Sequence, residues 1–109
     1  MIVEERTYTL KPGTLHLYYE DYNPRGLAIQ TRVLGCLLGY FHTEIGELNK
    51  VVHLWGYASL AERERRRNQL AQDPEWIAYL KQSPDIVTAM ESRILVPAPF
   101  SPMNELPAT

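Results

Sequence analysis

His53, Trp55 and Tyr57 stand at alternate positions in the run Asn49-Lys50-Val51-Val52-His53-Leu54-Trp55-Gly56-Tyr57. Successive side chains of an extended strand point to opposite faces, so these three share one face. An imidazole titrates near neutral pH and can accept a proton or orient a ligand, and aromatic neighbours make a pocket wall. The competing reading is a core or interface histidine satisfied by a hydrogen bond, with the aromatics filling volume. Arg6 and Tyr8 also share a face, and a guanidinium there suits a substrate carboxylate, or an ion pair with Glu5, Glu91 or another acidic neighbour. Glu44 and Asn49 flank a loop, where they can serve as a base and a positioning amide or simply stabilise the turn. Tyr40 and Tyr79 complete the candidate ligand-binding set, with His53 as the candidate catalytic residue.

Other chemistry finds less support. His16 and His42 have no partners at metal-ligand spacing, so no metal site is expected. A single histidine can ligate haem, but no c-type attachment motif occurs and no cofactor is expected. Cys36 reads as a small apolar residue at a helix end and has no second thiol to pair with. Arg63, Arg65, Arg66 and Arg67 are interleaved with Glu62 and Glu64, which reads as a solvated helix face rather than a nucleic-acid site. Gly-rich phosphate loops and nucleophile elbows are missing.

Several elements must position these residues. Residues 2–10 read as a strand ended by Lys11-Pro12-Gly13. Thr14 can cap a helix whose Leu15, Tyr18, Tyr19 and Tyr22 share a face; Asn23-Pro24 should interrupt it, and Leu27 to Leu34 continues to a stop at Gly35, making one kinked helix or two pieces. Residues 37–43 and 49–57 form a hairpin around Glu44–Leu48. Ser59 with Glu62 is a capping-box pattern for a helix ending near Asp73, and Asp73-Pro74 starts another that Ser83-Pro84 stops. Residues 87–96 supply the last strand, and the tail from Pro97 is proline-rich.

The order βαββαβ defines a ferredoxin-like α+β fold, a four-stranded antiparallel sheet with helices on one face. The other face of such a sheet should turn polar in a monomer. Instead, one parity of the third strand carries Val51, His53, Trp55 and Tyr57 and the other Val52 and Leu54, while the second strand offers Leu38 and Tyr40 against Leu37 and Phe41. Both faces need cover, which predicts a homodimer.

The chain has 109 residues and a net charge of −2, with 45% hydrophobic and 22% charged residues. This is one globular domain, divided here into residues 1–102 and an extended tail, 103–109. The slightly acidic balance disfavours phosphate-backbone binding, so no nucleic-acid partner is expected. No apolar run reaches the ~18 residues of a membrane span, and the charged start lacks a signal-peptide pattern. No membrane partner and a cytoplasmic location are therefore expected.

Three stretches resemble the NIPSNAP family of the dimeric α/β-barrel superfamily. They are Glu5-Arg6-Thr7-Tyr8-Thr9-Leu10-Lys11-Pro12-Gly13, the run from Gly39-Tyr40-Phe41-His42-Thr43 to Val52-His53-Leu54-Trp55, and Ser59 to Tyr79 with its Glu-Arg-x-x-Arg-Arg and Asp-Pro-x-Trp. The resemblance implies a ferredoxin-like protomer whose sheet packs on its partner's to make a barrel. It also implies a pocket between sheet and helices, in a superfamily that includes cofactor-free monooxygenases, haem proteins and isomerases. Asn23-Pro24-Arg25 departs from the family's first helix and puts its straightness in doubt. The family resemblance does not name a reaction. The reading that follows is a homodimer that binds a small apolar or aromatic molecule, with a cofactor-independent enzyme as the extension of that reading; the alternative is an interaction scaffold.

Overall fold

β1 (Ile2–Leu10) is the strand around which the sheet is built. It pairs antiparallel with β3 (Lys50–Tyr57) on one side and β4 (Val87–Leu95) on the other, while β2 (Cys36–His42) pairs with β3, giving the order β2-β3-β1-β4. The structure, a computed structural model, describes residues 1–107. Its helices are α1 (Leu15–Asp21), α2 (Leu27–Leu34), α3 (Leu60–Gln72) and α4 (Pro74–Gln82). This is the ferredoxin-like α+β fold expected from the element order.

The boundary signals act largely as read. Ser59 Oγ accepts the Glu62 amide, and Asp73 accepts the amides of Glu75 and Trp76 ahead of Pro74 at the first turn of α4. Gly35 ends α2 at φ +97°, a conformation that disfavours any residue with a Cβ. Thr14 differs: its hydroxyl donates to the Lys11 carbonyl at 2.6 Å and makes no cap. At Asn23-Pro24 the first of the two expected arrangements holds, one helix with an irregular turn rather than two pieces. A π-helical turn, Tyr22–Gly26, carries the chain from α1 into α2, and its wider hydrogen-bond spacing accommodates a residue without an amide proton.

The core lies between the sheet and the helices. Trp55, Tyr57, Val33, Leu34 and Leu70 form one buried cluster, and Tyr8, Leu10, Val51 and Ile86 form a second. The expected parity of β2 is corrected by a register shift between Leu37 and Gly39. With Leu38 as the extra residue, Leu37 and Tyr40 both face the helices, opposite Trp55 and His53, and Leu38 joins Phe41 on the outer face. Cys36 is the first residue of β2 and half-buried, not part of a helix end.

Beyond β4 the described residues form no helix or strand, and Leu106 lies on the outer face, where a Cβ at Gly56 would meet its Cδ2 at 2.9 Å. The last two positions of the expected 103–109 tail lie outside the described residues. No helix among the described residues is long and apolar enough to cross a membrane.

Candidate functional site

The helix-facing side of β1 carries Glu4, Arg6 and Tyr8, set opposite Trp55, His53 and Val51 of β3. Glu4 is fully buried and organises the polar part of this layer. Its Oε2 accepts from Arg63 of α3 at 2.7 Å, Ser92 of β4 at 2.6 Å and Arg6 at 3.1 Å. Burial alone would raise the carboxyl, but the hydrogen bonds from Arg63 and Ser92 and the charges of Arg6 and Arg63 hold it at about 2. Arg6 does form an ion pair with an acidic neighbour, Glu4 rather than Glu5 or Glu91, and its Nε also donates to the Tyr8 hydroxyl at 3.0 Å.

His53 sits beneath this layer with no exposed surface. Its ring stacks on Tyr40 at 4.5 Å and meets the edge of Tyr8 at 4.8 Å. The Trp55 indole N–H donates to His53 Nδ1 at 2.7 Å, which assigns the imidazole proton to Nε2. Burial, followed by the charges of Arg6 and Arg67, pushes its pKa down to about 3. The ring is therefore neutral at physiological pH. Its Nε2, the Tyr57 hydroxyl and Glu4 Oε1 are buried without a hydrogen-bond partner among the described residues.

A cleft of about 500 Å³ opens beside this cluster, between the sheet and the helices. Arg6 and Tyr8 line it from β1, Tyr18 from α1, and Tyr22 from the π-helical turn. Arg67 of α3 enters from above, Trp76, Tyr79 and Leu80 of α4 form another wall, and Ile86, Val87 and Met90 close the end. Its size and largely apolar lining with a few polar groups suit a small molecule. Tyr22 is fixed by its hydroxyl donating to Gln30 Oε1 at 2.5 Å, and Tyr18 shares a 2.5 Å hydrogen bond with Tyr40.

The candidate residues separate accordingly. Arg6, Tyr8 and Tyr79 line the cleft; His53, Trp55 and Tyr57 are buried behind it, and half-buried Tyr40 stacks on His53 and borders a separate depression with Tyr19 and His42. Glu44 sits exposed in the β2–β3 loop, 3.7 Å from His42. Asn49 adopts φ +63° in the same connection, with its Oδ1 accepting the Gly13 amide at 3.4 Å. Neither residue borders the cleft.

The arginine run, expected as a solvated helix face, is one only in part. Arg65 is exposed and paired with Glu62, but Arg63 and Arg67 turn towards the sheet. Their i, i+4 spacing, continued by buried Leu70, was the available signal for an inward stripe. Among the described residues no group of three or more His, Cys, Asp or Glu side chains could hold a metal ion.

The architecture defines a ferredoxin-like α+β protein with a cleft between its sheet and its helices. The NIPSNAP family model matches residues 3–102, and the chain belongs to that family. The zebrafish protein NipSnap homolog 2 is 34% identical over 103 residues, covering 94% of this chain but 35% of its own length. The chain thus spans about a third of that curated relative. An uncharacterised NIPSNAP-like domain protein from Burkholderia xenovorans is 47% identical with a TM-score of 0.91, covering 97% of this chain and 90% of its own. An antibiotic biosynthesis monooxygenase matches at a TM-score of 0.60 over 91% of this chain and all 100% of its own, but at 12% identity it shares the fold alone.

Proposed function

We propose that the protein binds a small apolar or aromatic molecule in the cleft and works as a homodimer. The observation that carries the first part is the cleft itself: about 500 Å³, walled by Tyr8, Tyr18, Tyr22, Trp76 and Tyr79, and reached by Arg6 and Arg67. An interaction scaffold would have no need of such a space and would gain stability by filling it. Calorimetric titration with uncharged 2-naphthamide should show saturable binding that Met90→Trp, at the cleft end, weakens. Absence of binding up to millimolar probe would overturn the reading.

An enzymatic step, if the cleft performs one, involves the groups that reach it, Arg6 and the tyrosines. The proton-acceptor role considered for His53 requires a free lone pair, and the Trp55 contact occupies Nδ1 while Nε2 holds the proton. His53 enters this proposal as a positioning residue that fixes Tyr8 and Tyr40 through ring contacts.

The homodimer is supported by the outer face of the β2–β3 hairpin. Val52 and Leu54 are half-buried and Phe41 is 55% exposed, on a face that the helices do not cover. Their β1 neighbours Thr7 and Glu5 are polar, so the apolar strip follows the hairpin. Sedimentation should give two chains at micromolar concentration, with Leu54→Asp shifting the population to one. A wild-type monomer would refute this part. A cytoplasmic setting belongs to the same proposal, supported by a fold whose lone cysteine leaves stability to the core.

A further inference from the structure

The side chains around the inner end of the cleft carry more positive charge than the protein itself balances. Arg6 and Arg63 share the one buried carboxylate, Glu4. Arg67, one turn beyond Arg63, makes no ion pair among the described residues, and its Nη1 is buried without a hydrogen-bond partner there. The acids on the cleft rim are already matched: Asp21 is paired with Arg25, and Asp85 with Lys11. Glu4 accepts three donors at Oε2, and although its Oε1 is buried without a hydrogen-bond partner among the described residues, it supplies a single charge against the three guanidiniums of Arg6, Arg63 and Arg67. A guanidinium withdrawn from water without a counter-charge is costly, and its planar fork matches a carboxylate.

From this charge imbalance at the cleft we infer that the ligand is a carboxylate on an aromatic or apolar body, with Arg67 as the anion-binding residue, assisted by Arg6. This rests on the cleft being a binding site and adds the chemical class of its occupant. The body of the ligand lies among Tyr18, Tyr22, Tyr79 and Trp76, and the carboxylate faces the arginines. Tyr8 contributes through its hydroxyl, which already accepts from Arg6 Nε and so holds that guanidinium in place.

A carboxylate fits better than a phosphate. Besides the arginines, the polar groups that border the cleft are few. The remaining lining is aromatic and aliphatic, which offers little to the further oxygens of a phosphate.

Three probes that share one ring system test the inference by calorimetry: 2-naphthoate, uncharged 2-naphthamide and 2-naphthyl phosphate. The wild-type protein should bind the carboxylate at least about tenfold more tightly than the amide, the difference expected of a charge-assisted hydrogen bond. Arg67→Gln should remove that preference, and Arg67→Lys should restore part of it because the charge remains without the fork. Equal binding of acid and amide by the wild type would overturn the carboxylate assignment and leave the cleft reading standing. Tighter binding of the phosphate would overturn it in favour of a phosphate ligand. Binding of none of the three would overturn the cleft reading as well. The wild-type comparison needs no variant, so it decides the matter even if Arg67→Gln fails to fold.

Discussion

The Trp55 indole donates to His53 Nδ1 at 2.7 Å, two residues along the same strand and both side chains fully buried. This contact fixes the tautomer of His53, and burial, followed by the charges of Arg6 and Arg67, keeps the ring neutral.

It sets a pH dependence with a definite sign. His53 titrates at about 3 in the fold against an ordinary value of 6.5, so below pH 6.5 the unfolded chain binds a proton that the folded chain refuses. Stability should fall as pH drops from 6.5 towards 3, approaching about 1.4 kcal/mol per pH unit where only the unfolded state is protonated. Urea unfolding between pH 7 and 5 checks this: His53→Gln, which retains an acceptor for Trp55, should flatten the profile. An unchanged slope would contradict the assignment.

Glu4 acts in a lower window. Its folded pKa of about 2 lies below the ordinary 4.5, so its contribution is complete above 4.5 and is lost as pH falls through about 2. Glu4→Gln should cost about 3 kcal/mol at pH 7, because Arg6 and Arg63 lose their shared counter-charge. The loss should shrink towards pH 2, as chemical denaturation across that range would show.

Gly26 closes the π-helical turn against the cleft wall. A Cβ there would lie 2.7 Å from Tyr79 Cζ and 2.8 Å from Tyr22 Cδ1. Gly26→Ala should therefore destabilise the fold by about 1–3 kcal/mol despite the higher helix propensity of alanine. Tyr79 and Tyr22 both line the cleft, so naphthamide affinity should fall with it.

Asp73 has two duties at the α3–α4 junction. It accepts the first free amides of α4 and receives Arg32 Nη2 at 3.0 Å. Asp73→Ala should lower stability by about 1 kcal/mol, chiefly through the lost cap. Asp73→Asn should recover most of it, since the amide oxygen can still cap. Thermal unfolding of the two variants distinguishes cap from charge.

Local signals decided much of this protein. The strand and helix order, the caps at Ser59 and Asp73, the stop at Gly35 and the shared face of Arg6 and Tyr8 follow from spacing within a few residues, where backbone geometry alone sets the outcome. The resemblance across most of the chain then pointed to its family. The residues bordering the cleft were only partly legible: alternation placed His53, Trp55 and Tyr57 on one face but did not say that Arg6 and Tyr8 would stand between His53 and the cleft.

Tertiary structure decided the rest because those outcomes depend on partners distant in the chain. The register shift at Leu38 reverses the parity of β2, and only pairing with β3 reveals it. Arg63 and Arg67 look solvated when read beside Glu62 and Glu64. They turn inward because Glu4, on a different strand, offers Arg63 a buried carboxylate 59 positions away. Periodicity tells which side chains share a face; whether that face meets water, a counter-ion or another element is settled only when the sheet and helices pack.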